Sequence, residues 1–169
     1  MIDALSKAVF GSLAGSPRLK HVASRYGMRS PRSFARRFVA GETIDEAIAA
    51  ARASEAQGLS QTLDLLGESV ATEREARAAT DAYLAMIPRI AAAGIGRNIS
   101  IKLTQLGLDL SESLAETNLR TILVRAAEDD FFVRIDMENS PYVETTLSLF
   151  ERTWRQGLTN VGVVLQSAL

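Results

Sequence analysis

The sequence lacks cysteine altogether, has a single histidine, and has no apolar stretch long enough to cross a bilayer. Without cysteine there is no disulfide framework, no thiolate metal site and no cysteine nucleophile, and a reducing compartment is favoured. The lone His21 excludes a histidine-rich metal centre. A membrane-spanning helix needs about 18 consecutive apolar residues, and the N-terminus lacks the pattern of a signal peptide. We therefore expect a soluble, cytoplasmic protein without a metal site.

The composition is that of an ordinary globular protein. Of the 169 residues, 47% are hydrophobic and 23% are charged, which excludes wholesale disorder, a collagen-like chain and a coiled-coil rod. The length is typical of one domain and is sufficient to bury a substantial core.

The overall balance of charge hides a basic N-terminal segment. Residues 1–40 carry eight lysines and arginines against one aspartate, a net charge of +7, and since the whole chain sums to −1 the remainder carries −8. Such a segment can bind nucleic acid or an anionic membrane surface. Its apolar residues are spaced as in packed helices, so we expect it to dock on the acidic remainder or to be simply solvated, with no nucleic-acid partner. The alternative is a non-enzymatic α/β module whose basic N-terminal arm binds an anionic partner.

Residues 1–58 have the pattern of a helical arm. Ser30 followed by Pro31 is a typical helix start, with serine as the N-cap and proline in the first turn. Thr43 and Glu46 have the spacing of a capping box and open an alanine-rich helix that ends near Gly58. We therefore predict an N-terminal arm of helices.

From residue 59 onward, short apolar segments alternate with helical periodicity. The predicted strands are 59–66, 98–103, 131–136 and 160–166, and the predicted helices between them are 72–93, 111–126 and 140–156. Strands that alternate with helices indicate βαβ units and a parallel sheet.

Two architectures fit this alternation, a small doubly wound sheet and part of a (β/α)8 barrel. The sequence ends at Leu169, just after an apolar strand that no helix follows, although parallel strands are normally covered on both faces. A complete barrel needs about 250 residues. We expect an α/β protein with N-terminal helices (1–58) followed by the first half, about four β/α units, of a TIM-like barrel (59–169), its C-terminal half absent.

Polar residues gather where the predicted strands end. In parallel α/β folds the carboxyl ends of the strands form the working face. The residues at these ends are Asp64, Glu68, Lys102, Arg134, Asp136, Glu138, Asn139 and Gln166. Together they predict a site on one rim of the sheet.

Lys102 interrupts an otherwise apolar strand. By alternation it shares a face with Ser100 and would be partly desolvated. A desolvated ammonium is costly unless it is paired, so we expect it to meet Asp64, Asp136 or a ligand carboxylate. Arg134 is likewise expected to pair with a neighbouring carboxylate.

The sequence shows no nucleophile–base pair, phosphate-binding loop or metal cluster. Chemistry without these groups usually relies on a cofactor. An alternative is a barrel enzyme that forms a Schiff base on Lys102.

Four strand-end motifs together resemble bacterial monofunctional proline dehydrogenase. They are TLDLLGES at 62–69, SIKLTQLG at 100–107, VRIDMENSPY at 133–142 and NVGVVLQ at 160–166. The resemblance covers essentially the whole chain. It implies an FAD-dependent enzyme on a distorted barrel that oxidises L-proline to 1-pyrroline-5-carboxylate in proline catabolism. It further implies a quinone electron acceptor at the membrane surface, a cytoplasmic enzyme that can lie peripherally on the inner membrane, and compatibility with a homo-oligomer.

The resemblance also implies roles for four residues. Lys102 matches the lysine that meets the proline carboxylate, and Asp136 matches an active-site aspartate with a catalytic or positioning role. Met137 and Gln166 match residues that line the flavin. In the family the chain continues through further β/α units that supply more FAD contacts and an arginine pair for the substrate carboxylate. We therefore expect this chain alone neither to hold FAD nor to oxidise proline.

Overall fold

A computed structural model describes residues 39–166 as four helices, four strands and a short 3-10 turn. The elements are α1 (Ile44–Glu55), β1 (Leu63–Asp64), α2 (Glu73–Ala93), β2 (Asn98–Ile101), α3 (Glu112–Glu128), β3 (Phe132–Ile135), the 3-10 turn (Ser140–Tyr142), α4 (Val143–Arg155) and β4 (Val161–Val163). Most of the predicted arm, including His21 and the helix start at Ser30 and Pro31, lies outside the described residues. The division at residue 58 therefore stays a prediction; a compact unit begins at Ala51.

The four strands form one parallel sheet in the order β1-β2-β3-β4. In a doubly wound sheet the strand order reverses at a switch point, whereas here every connection advances to the next strand in the same direction. Parallel crossovers are almost always right-handed, so connections in one direction place their helices on one face of the sheet. This is the arrangement of successive units in a TIM-like barrel, and the predicted α/β fold class is confirmed.

The alternation of side chains along the strands divides the sheet into an apolar and a polar face. One face carries the core residues Leu63, Ile99, Ile101, Val133, Ile135 and Val161, all buried. The register places Asp64, Ser100, Arg134 and Gly162 side by side on the other face. The apolar set therefore holds the sheet together, and the polar set is free to serve a site.

Local capping interactions determine where α2 begins and ends. Thr72 Oγ1 accepts a hydrogen bond from Glu75 N, and the Glu75 carboxylate accepts from Thr72 N, which completes a capping box. Gly94 ends the helix with a φ of 68°, the left-handed conformation that favours glycine at this position.

The predicted capping box at α1 is only half formed. Thr43 Oγ1 accepts from Glu46 N at 3.3 Å, as expected, but the Glu46 carboxylate accepts from Glu42 N and not from Thr43 N. Ser111 stands at the N-cap position of α3 but makes no side-chain capping bond, because its Oγ pairs with Ser113 Oγ at 2.9 Å.

Two other local expectations were wrong. The predicted strand 59–66 is reduced to Leu63–Asp64, an edge strand with a single neighbour in the described sheet. Ser140 does not cap α4; it begins a 3-10 turn after Asn139, and α4 starts only at Val143. Pro141 fits the first positions of that turn, where a missing amide proton costs no bond.

Candidate active site at the carboxyl end of the sheet

Three charged residues from neighbouring strands meet at one rim of the sheet. Asp64 ends β1, Lys102 directly follows β2, and Asp136 directly follows β3. Lys102 Nζ lies 3.3 Å from Asp64 Oδ2 and 3.5 Å from Asp136 Oδ2. The ammonium thus stands between two carboxylates, as the in-register parallel pairing of the three strands allows.

The charge state of Lys102 follows from these neighbours. Partial burial lowers the pKa of Lys102, but the charges and hydrogen bonds of Asp64 and Asp136 outweigh it, and the net pKa is raised. Lys102 is therefore a cation at neutral pH. A Schiff-base lysine must react as a neutral amine, so this environment argues against the Schiff-base alternative.

Asp136 faces a different cation with each of its oxygens. Oδ2 is turned to Lys102, while Oδ1 lies 3.5 Å from Arg134 Nε, so the expected pairing of Arg134 with a neighbouring carboxylate is confirmed. The Arg134 Nε atom is nevertheless buried without a hydrogen-bond partner. The backbone N–H of Asp136 donates to Ile101 O at 2.9 Å and so continues the sheet by one residue.

Tyr83 supports the rim from within the core. It projects from α2, is fully buried, and its hydroxyl donates to Ser100 O at 3.0 Å. The same hydroxyl lies 3.3 Å from Gln105 Oε1 and 3.4 Å from Asp64 Oδ1. Burial and the nearby Asp64 charge raise the pKa of Tyr83, so it stays a neutral phenol. Tyr83 lies within the predicted helix 72–93 and was not among the predicted site residues, although a buried tyrosine hydroxyl generally needs a polar partner.

Met137 and Gln166 lie next to each other. Gln166 Nε2 donates to Met137 O at 3.2 Å, and Met137 itself is buried. Met137 follows Asp136 directly in the chain, so Gln166 contacts the backbone of a residue next to the charged cluster. The structure brings Lys102 into contact with Asp136, and Gln166 into contact with the backbone of Met137, while the roles of all four residues stay predictions.

Other rim residues from the sequence do not join this cluster. Glu68 is exposed in the loop after β1, and Asn139 precedes the 3-10 turn. Glu138 turns instead to Thr104, a buried residue that the sequence reasoning did not single out. Within residues 39–166 no group of residues has the composition of a metal site, and no helix is both long and apolar enough to cross a membrane.

A barrel-type sheet with a lysine between two aspartates at its carboxyl end defines a TIM-barrel-like α/β protein with a charged rim. A family model described as proline dehydrogenase matches residues 47–168. The chain belongs to the proline dehydrogenase family.

Curated relatives agree with this assignment. The chain is 41% identical over 161 residues to proline dehydrogenase 1 of Bacillus subtilis, covering 95% of this chain and 52% of that protein. It is 36% identical over 173 residues to proline dehydrogenase of Deinococcus radiodurans, covering 100% of this chain and 54% of that protein. The chain therefore spans about half the length of the curated relatives that it matches.

Solved structures of proline utilization A have a fold similar to that of this chain. Proline utilization A from Bdellovibrio bacteriovorus matches with a TM-score of 0.68 and 24% identity, over 76% of this chain and 16% of that one. A mutant of proline utilization A from Bradyrhizobium japonicum matches with a TM-score of 0.57 and 26% identity, over 75% of this chain and 14% of that one.

Proposed function

We propose that the protein is an FAD-dependent proline dehydrogenase that oxidises L-proline to 1-pyrroline-5-carboxylate in proline catabolism. The observation that carries the proposal is the Lys102 ammonium held between Asp64 and Asp136 at the carboxyl end of a barrel-type sheet. Membership of the proline dehydrogenase family supports the substrate.

Lys102 is the proposed binding group for the substrate carboxylate. An ammonium has three donor hydrogens, and two of the Lys102 donors are directed at Asp64 and Asp136. The third can be directed at a ligand. Charge-assisted hydrogen bonds of this kind are stronger than neutral ones, especially where water is partly excluded. Lys102 fits this description because its side chain is only 22% exposed.

Asp136 is the proposed catalytic residue. Oxidation of proline removes a hydride from the ring carbon next to nitrogen and a proton from that nitrogen, and a C=N bond forms. The ring nitrogen of free proline is a cation, which a carboxylate at the rim attracts. Lys102 and Arg134 hold Asp136 from two sides, so its carboxylate keeps one orientation while the substrate binds.

The residues at the rim suit a flavin. The Arg134 side chain is 40% exposed, and the terminal N–H groups of its guanidinium can donate to the carbonyl oxygens and ring nitrogens of a flavin. Gln166 supplies an exposed amide, and its hydrogen bond to Met137 O fixes the buried Met137 beside it. We propose that Met137 and Gln166 would hold the FAD, which when bound supplies the acceptor for the hydride.

The electron acceptor and the cellular setting are proposed from the family resemblance. A quinone at the membrane surface would take the electrons onward, and the enzyme would be cytoplasmic and able to lie peripherally on the inner membrane. A homo-oligomer is compatible with this setting. For the division of the chain we keep a helical arm over residues 1–58 and barrel units over residues 59–169.

The test is to express the gene that encodes this sequence at its natural length and to measure flavin content and proline-dependent dye reduction. We expect a flavin absorption spectrum that L-proline bleaches and D-proline does not. A protein that binds no flavin, or whose flavin proline does not reduce, would refute the proposal.

A further inference from the structure

Three loops at the rim meet on a single threonine. Thr104, in the loop after β2, is fully buried. Its backbone N–H donates to Glu138 Oε1 at 3.1 Å, and its hydroxyl donates to Glu138 Oε2 at 2.5 Å. Both oxygens of the Glu138 carboxylate are therefore committed to this one residue, which links the loop after β2 to the loop after β3.

The same threonine holds the loop after β1. Thr104 Oγ1 accepts from Ser69 N at 3.1 Å, and Thr104 O accepts from Val70 N at 3.4 Å. A hydroxyl has one proton and two lone pairs. Because Glu138 takes the proton, a lone pair of Thr104 Oγ1 is left to receive the Ser69 amide, and the orientation of the hydroxyl is fixed.

The backbone of Ser69 has a conformation that depends on this hydrogen bond. Its φ is 50°, in the left-handed region that serine seldom adopts. A residue in that region persists only where its surroundings hold it. In the part of the chain that the structure describes, the hydrogen bond from Ser69 N to Thr104 Oγ1 holds the Ser69 amide in place.

We infer that Thr104 and Glu138 form a positioning pair that fixes the loop after β1 against the loop after β3. These loops begin at Asp64 and Asp136, on either side of Lys102. The pair touches none of these three charged groups, yet it sets the separation of the segments that carry the two carboxylates. Loosening it should weaken substrate binding more than the chemical step. This last consequence rests on the proposed function, whereas the coupling between the loops does not.

The decisive comparison is Thr104→Val against Thr104→Ser. Valine keeps the volume of threonine but has no hydroxyl, so it loses the bonds to Glu138 Oε2 and from Ser69 N. Serine keeps both bonds. In the natural-length protein we expect Thr104→Val to speed amide exchange of Ser69 about tenfold, as fits the loss of one net hydrogen bond. The KM for L-proline should rise about tenfold with kcat within about twofold, the pattern of lost binding. Thr104→Ser should match the wild type in both.

A second variant keeps the inference testable if Thr104→Val does not fold. In Glu138→Gln the side-chain amide replaces one carboxylate oxygen by a donor, which cannot accept from Thr104. We expect faster exchange of Ser69 and Val70 and a raised KM, both in the same direction as for Thr104→Val.

Two results would overturn the positioning pair. One is unchanged exchange of Ser69 and Val70 in both Thr104→Val and Glu138→Gln. The other is a fall in kcat that follows lost thermal stability, with KM unchanged. If the wild-type protein does not oxidise proline, the proposed function fails, and hydrogen exchange still decides whether Thr104 and Glu138 couple the loops.

Discussion

The Tyr83 hydroxyl lies 3.4 Å from Asp64 Oδ1, on the core side of a carboxylate whose other oxygen faces Lys102. Its single proton goes to Ser100 O, the nearest of three oxygens around it. A buried phenol thus connects the helix α2 to the charged rim.

Tyr83→Phe should destabilise the fold while it preserves the packing of the ring. The change removes the donor that serves Ser100 O and leaves that buried carbonyl with one bond fewer, at a cost of about 1–2 kcal/mol. Urea unfolding checks the expected loss. Tyr83→Leu serves as the control and should cost more, because it also removes buried volume. Wild-type stability in Tyr83→Phe would contradict the role assigned to the hydroxyl.

Lys102→Ala should weaken proline binding and turnover while FAD stays bound. Loss of one charge-assisted hydrogen bond, worth about 1.5–3 kcal/mol, corresponds to a decrease in kcat/KM of about 10- to 150-fold. Steady-state kinetics and the flavin-to-protein ratio of the purified variant provide the measurement. Lys102→Arg, which keeps the charge, should retain part of the activity. If Lys102→Ala loses FAD, the role proposed for the lysine is wrong.

Asp136→Ala should lower turnover far more than it disturbs the fold. The carboxylate lies at the end of a strand and is 26% exposed, so its removal leaves the core intact. A positioned acid–base group contributes about 10²–10⁴-fold to rate, and we expect a loss of kcat in that range. Thermal unfolding measured beside kcat separates the two effects. Stability and activity falling in proportion would count against a catalytic role.

Deprotonation of Lys102 should lower the stability of the folded protein at alkaline pH. Its pKa is raised in the folded state, so its stabilising contribution is complete below the unfolded pKa of about 10.4 and is lost as the pH rises through the folded value. The measurement compares urea unfolding of the wild type and Lys102→Met between neutral and strongly alkaline pH. The stability advantage of the wild type over the variant should shrink only at the alkaline end. A pH-independent difference would show that the ion pairs do not act as described.

The sheet and its rim could be predicted because they follow from regular periodicity. Short apolar segments alternate with helical ones, and a lysine interrupts an apolar strand directly before a loop, so Lys102 was expected beside Asp64 or Asp136. The parallel register then brings the carboxyl ends of the strands together, regardless of their separation in sequence.

The features that could not be predicted from the sequence depend on contacts between residues far apart in the chain. Thr104 stands in a short polar stretch like any loop residue, and its importance comes from Ser69 and Glu138, each more than 30 positions away. The positive φ of Ser69 carries no sequence signal, because serine is not a residue that favours it. The same holds after β1, which ends at Asp64: the next carbonyl, Leu65 O, accepts from Gln105 Nε2, a side chain 40 positions away.

The order of the strands has a consequence for how the protein is made. Each new strand in the described sheet pairs with the strand synthesised just before it, so every partner already exists when its neighbour leaves the ribosome. Chains emerge N-terminal end first, and regions that fold as units can do so during synthesis. Asp64 precedes Lys102 in the chain and Asp136 follows it, so the two ion pairs of Lys102 can form in the same order as the strands that carry them.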